Sequence, residues 1–79
     1  MINVLIVDDE YSIREGIKNN ISWAEYGLRV CGTAASGFEA LELVDKEMPE
    51  IIILDIRLSD MDGLEVLEVV KEKYPHIKV

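Results

Sequence analysis

Ile51-Ile52-Ile53-Leu54-Asp55 is an unbroken apolar run closed by a single acid. A strand with one wet face alternates apolar and polar residues, whereas a parallel strand covered by helices on both faces is apolar throughout. The run therefore predicts a central strand of a parallel sheet, with Asp55 immediately past its carboxyl end. Just upstream, Met48-Pro49 should stop a helix, because proline disfavours the α conformation in the residue before it. Ser36-Gly37-Phe38-Glu39 has the capping-box pattern for the start of that helix, with Phe38, Leu41 and Val44 as its apolar face. Leu28 to Thr33 reads as a second strand.

Further toward the N-terminus, Asn3 to Val7 is short, continuous and β-branched, the pattern of a first strand. Ile13, Ile17 and Ile21 then recur at helical spacing, and Ser12 to Glu15 repeats the capping-box pattern, although that helix can begin a residue or two earlier. Downstream of Asp55, a loop from Ile56 to Asp62 leads through Gly63 into a third helix with Leu64, Leu67 and Val70 on one face. Tyr74-Pro75 ends it, and Ile77-Lys78-Val79 reads as the first residues of a fourth strand. The order βαβαβα implies parallel strands joined by right-handed crossovers, an α/β fold.

The chain has 79 residues, 49% hydrophobic and 30% charged, enough for at most one domain with a core that is marginal on its own. Cys31 has no partner within the chain, so an internal disulfide is excluded and a cytoplasmic location is the default. The apolar run from Val4 to Val7 is far too short for a signal sequence or a membrane span. Sixteen acidic against eight basic residues give a formal charge of −8. Such a surface repels a nucleic-acid backbone, which argues against direct DNA contact by this segment.

Position carries more than total charge. Asp8 and Asp9 follow the first strand, and Asp55 follows the third. In doubly wound sheets, sites form beyond the carboxyl ends of strands where the strand order reverses, between strands one and three if the order begins 2-1-3. Two carboxylates about 5 Å apart repel by about 3 kcal/mol at an effective dielectric of about 20. A hard divalent cation offsets that repulsion, and a few carboxylates with waters in octahedral array is the Mg²⁺ pattern. Any one of these aspartates could be a turn residue or a helix cap; the three together, at two adjacent strand ends, are the signal.

Val4-Leu-Ile-Val-Asp-Asp-Glu10, Ser36-Gly-Phe-Glu-Ala-Leu41, Ile52-Ile-Leu-Asp-Ile56 and Met61-Asp-Gly63 together resemble the response-regulator receiver family, across the entire chain. The resemblance implies a flavodoxin-like (CheY-like) sheet with strand order beginning 2-1-3, residues 1–79 being a partial receiver truncated after the third βα unit. It implies that Asp55 is the phosphoryl acceptor, that Asp8, Asp9 and Asp55 bind Mg²⁺ with the backbone carbonyl of Arg57, and that the donor is a phosphohistidine on a sensor histidine kinase. Trp23, Tyr26 and Gly27 lie in a long connection similar to that of receivers joined to AraC-type (YesN-like) DNA-binding domains, which implies transcriptional output from a domain beyond this chain.

The sequence departs from the family where receivers commonly carry Met-Pro and this chain has Leu58-Ser59, leaving the loop without a φ-fixing proline. The switch Ser or Thr and the phosphate-pairing Lys of the family have no equivalent before Val79, so this segment alone is expected to bind metal weakly and to phosphorylate poorly. Two alternatives stand beside the receiver reading. One is a binding or dimerisation element that pairs with a second copy through the exposed edge of the third strand. The other is a phosphatase of the haloacid-dehalogenase type, which expects Asp-x-Asp where this chain has Asp8-Asp9-Glu10. His76 reads as a solvated turn residue, Gly63 as a backbone requirement, and Glu10 as a helix-start charge.

Overall fold

The computed structural model describes residues 1–79. Three strands, β1 (Ile2–Val7), β2 (Leu28–Ala34) and β3 (Ile51–Leu54), form one parallel sheet in the order β2-β1-β3. Between and after them run α1 (Tyr11–Asn20), a short 3₁₀ turn (Trp23–Tyr26), α2 (Gly37–Glu47) and α3 (Gly63–Lys73). The expected α/β class and strand order are those observed. No helix is long and apolar enough to cross a membrane.

The central strand is β1 rather than β3. Val4, Leu5, Ile6 and Val7 are all buried, with partners on both sides, while β3 pairs along its length only with β1. The outer edge of β3 is met at its start by the last residues of the chain. The Ile52 amide donates to the Lys78 carbonyl at 2.7 Å, and the Lys78 amide donates to Glu50 at 2.9 Å. Ile77 beside them is fully buried. The expected fourth strand is thus present as a single parallel bridge between Ile51 and Lys78, and it shortens the open edge.

Parallel pairing in register (Leu5 with Ile52, Val7 with Leu54) puts alternate residues of both strands on the same face. On one face Leu5, Val7, Ala34 and Ile52 pack with Ala40 and Val44 of α2 and Val66 and Val70 of α3, closing the main core. The opposite face carries Val4 and Ile6, and α1 packs against β1. No residue of α1 is fully buried. At the far ends of α2 and α3 the Tyr74 hydroxyl and Lys73 ammonium both donate to Asp45, at 2.7 and 3.0 Å, and hold its carboxyl below the usual range.

Several local expectations shift. Ser12 lies inside α1, whose N-cap is Glu10 without a side-chain bond, and Ile21 is the residue that ends it. Ile13 and Ile21 are exposed. In α2 the buried stripe is Gly37, Ala40 and Val44 with Leu41 beside it, while Phe38 stands 65% exposed. In α3 it is Val66 and Val70, with Leu64 51% exposed. Helical spacing located each buried face only to within a rotation: Ala40 takes the place expected for Phe38, and Val66 that expected for Leu64. Met48 ends α2 as expected, in the left-handed rather than the extended region (φ 47°).

Candidate acidic phosphoryl and metal site

The ladder hydrogen bonds run one residue past the strand ends and fix the backbone of two acids. The Asp8 amide donates to the Ala34 carbonyl at 3.1 Å, and the Asp55 amide donates to the Val7 carbonyl at 3.0 Å. Since β1 and β3 are neighbours, both residues emerge side by side at the carboxyl rim of the sheet. Asp9 follows in the turn into α1. One carboxylate oxygen from each of Asp8, Asp9 and Asp55 lies within 4.8 Å of the others. The three acids singled out in the sequence are therefore brought together.

Their environments differ. Asp8 is 7% exposed, the only charged side chain among the buried residues, whereas Asp55 is half-buried and Asp9 exposed. Asp8 Oδ1 accepts from the Glu10 amide at 2.9 Å, and the Asp8 carbonyl accepts from Arg14 Nη1 at 2.8 Å. Asp55 Oδ1 accepts from the Arg57 amide at 3.0 Å. Asp8 and Asp55 thus each use one oxygen to hold their own turn.

The donor set fits a hard divalent cation. Oxygens on one Mg²⁺ lie roughly 2.9 Å apart when adjacent and about 4.2 Å apart when opposite, as bond lengths of about 2.0–2.1 Å dictate. The observed spread, within 4.8 Å, is somewhat wider than these separations, so the carboxylates would turn inward to meet on one ion. The Arg57 carbonyl accepts no hydrogen bond from the protein, and the Asp55 carboxylate steadies the same residue through its amide.

The loop carrying Asp55 and Arg57 is held by residues that sequence reasoning treated lightly or missed. A Cβ on Gly63 would lie 2.4 Å from Ile56 Cα and 2.8 Å from the Asp55 carbonyl oxygen, so only glycine allows this approach. The Gly63 amide donates to Ile56 at 2.9 Å, and Arg57 bridges to Asp62. Asp62 caps α3 by accepting from the Leu64 amide at 3.0 Å. Asp60 was missed altogether. Its carboxylate accepts from the Gly37 and Phe38 amides at 2.8 and 3.0 Å, and these bonds hold its carboxyl below the ordinary carboxylate range. Only the excess of acids in the loop signalled it, since the partners lie 22 and 23 residues away.

The chain is similar to known proteins over nearly its whole length. The family model described as response regulator receiver domain matches residues 4–79. The receiver (REC) domain of AraT from Geobacillus stearothermophilus is 40% identical with a TM-score of 0.91, the match covering 95% of this chain and 58% of that one. A two-component transcriptional regulator AraC from Clostridium phytofermentans is 32% identical with a TM-score of 0.88, over 95% and 58% of the two chains. TrrA from Thermotoga maritima, a response regulator solved in complex with Mg²⁺ and BeF, is 36% identical with a TM-score of 0.83, over 95% and 63%. Curated response regulatory proteins of Staphylococcus epidermidis are 40–42% identical over 72 residues, and this chain spans 29% of their length. Matched over nearly its whole length by the family model and by receivers of AraC-type regulators, the chain belongs to the response regulator receiver domain family of two-component signalling.

Proposed function

We propose that this chain is the phosphoacceptor part of a longer receiver, with Asp55 accepting a phosphoryl group from a phosphohistidine of a sensor histidine kinase. The observation that carries this reading is the buried Asp8 carboxylate beside Asp9 and Asp55, one oxygen of each within 4.8 Å of the others. A buried carboxylate is costly unless it is partnered. Three at one rim make sense where a cation offsets them, and Asp8, Asp9, Asp55 and the Arg57 carbonyl are the groups to hold it.

Asp55 Oδ1 is engaged by the Arg57 amide, which leaves Oδ2 as the attacking atom. As the new O–P bond forms, the P–N bond of the donor breaks and the imidazole nitrogen takes back its electron pair. A carboxylate is a competent nucleophile for this exchange, which depends on positioning and charge neutralisation more than on proton transfer. Bound Mg²⁺ supplies the positive charge for the acids and the phosphoryl oxygens. The Asp8 and Asp9 carboxylates, with the Asp8 turn fixed by the Glu10 amide, would hold that ion together with Asp55 and the Arg57 carbonyl. A DNA-binding output domain beyond this segment is supported by the AraC-type regulator among the similar structures. TrrA's complex with Mg²⁺ and BeF supports the metal.

The test is labelling of the intact protein by acetyl phosphate or by a phosphorylated sensor kinase with Mg²⁺ present. The expected product is a hydroxylamine-labile phosphate mapped to Asp55, lost in Asp55→Asn and on chelation of the metal. Undiminished labelling of Asp55→Asn, or labelling that survives chelation, overturns the reading.

A further inference from the structure

The loop after Asp55 has two halves, and only its base is held by its own residues. At the base, Gly63 packs on the Asp55 and Ile56 backbone, and Arg57 bridges to Asp62. The tip, Ser59 to Met61, carries no proline to restrict it. It is tied instead to α2. Asp60 Oδ1 accepts from the Gly37 amide and Oδ2 from the Phe38 amide. Met61 lies over Gly37 so closely that a Cβ there would fall 2.3 Å from Met61 Cγ.

These bonds complete the start of α2. The first amides of a helix have no partners within it. Ser36 Oγ accepts from Glu39 and the Ser36 carbonyl from Ala40, leaving Gly37 and Phe38. One negatively charged carboxylate takes both at the positive end of the helix dipole. The helix start and the loop tip therefore have a common fastening, and the loop's other end carries Asp55 and Arg57.

We propose that Asp60 is a positioning residue for the acidic site: by clasping the Gly37 and Phe38 amides it holds the loop tip on α2, and so keeps the Arg57 carbonyl and the Asp55 carboxylate placed for the cation. This rests on the phosphoacceptor reading above. Asp60 touches neither metal nor phosphoryl group. It acts through Arg57, in the place where receivers commonly rely on a proline. Asparagine at position 60 keeps one accepting oxygen but turns an amide N–H₂ toward the second backbone donor, so Asp60→Asn loses half of the clasp and Asp60→Ala all of it.

The experiment measures, in the intact protein, the Mg²⁺ concentration giving half-maximal labelling by acetyl phosphate. Ser36→Ala serves as the control, since it removes a cap from the same helix without touching the loop. Asp60→Ala is expected to raise the Mg²⁺ midpoint roughly fivefold to tenfold, at or below the effect of losing a group bonded directly to a metal ligand. Asp60→Asn should fall between it and the wild type, with the labelling rate recovering at saturating Mg²⁺. Ser36→Ala should leave the midpoint unchanged while lowering the unfolding temperature. A midpoint for Asp60→Ala within about twofold of wild type, or an equal shift in Ser36→Ala, overturns the proposal, because the effect would then be absent or merely destabilising. Asp55→Asn run alongside separates the two claims. Full labelling of that variant would sink the phosphoacceptor reading itself, whereas its loss together with an unmoved Asp60→Ala midpoint sinks only the positioning role.

Discussion

The two connections that feed the acidic site solve the same problem differently. Asp8 to Glu10 is a short turn between β1 and α1, fixed at once by burial of Asp8, by the Glu10 amide and by Arg14. Asp55 to Asp62 is a long loop between β3 and α3, held by a glycine contact at its base and a carboxylate clasp at its tip. The first, beyond its ladder bond to Ala34, is held within Asp8 to Arg14, because few torsions are free to begin with. The second has many, and ordering each residue costs about 1–2 kcal/mol of conformational entropy, so outside contacts must keep it in place. The acid from the rigid turn is the buried one, and the acid from the long loop is the proposed nucleophile.

The largest effect should come from the base of the long loop. Gly63→Ala forces a methyl against backbone atoms that cannot swing aside, and should cost about 3 kcal/mol in urea unfolding of the intact protein. Gly37→Ala, at the tip, meets mainly the flexible Met61 side chain and should cost about 1–2 kcal/mol. Equal losses at the two glycines would show that the loop is held evenly and not chiefly at its base. On the short turn, Arg14→Ala removes the donor to the Asp8 carbonyl and should cost about 1 kcal/mol, the net value of one hydrogen bond. A much larger loss, measured the same way, would mean that the short turn also depends on an outside brace.

Acid should distinguish the two connections most finely. The Asp60 carboxyl titrates below its ordinary value because the Gly37 and Phe38 amides favour its charged form. With the folded value depressed, its contribution is present above the ordinary carboxylate range, near about 4, and is lost as pH falls through the depressed value. Wild type should therefore exceed Asp60→Asn in unfolding midpoint at neutral pH, and the gap should close under acid. A gap that persists unchanged to low pH would show that charge at Asp60 does not matter.

How much could be read in advance follows from the range of each interaction. The apolar run from Ile51 to Leu54, the helix cap at Ser36 and the acids after Val7 and Leu54 are local patterns, and each appears in the structure. The helix faces were legible only up to a rotation. Spacing showed that Phe38 or Leu64 could share a stripe with Val44 or Val70, yet the sheet selected Ala40 and Val66 instead. The apolar run of β3 reports covering of both faces and not pairing of both edges; within these residues its outer edge is met only by the Lys78 bridge. Asp60 was invisible for a simpler reason, since its partners belong to another helix.

Chain order and side-chain chemistry alone determined that there would be three βα units, that acids would follow two of the strands, and that glycine would stand at position 63. Those are properties of neighbouring residues and of the short-range torsions they prefer. Only the folded sheet decided that β1 runs between β2 and β3, which brings Asp8 and Asp55 to one rim, and that the start of α2 comes to rest under the tip of the loop after β3. Such pairings join residues far apart in sequence, and they are selected by burial of a common core.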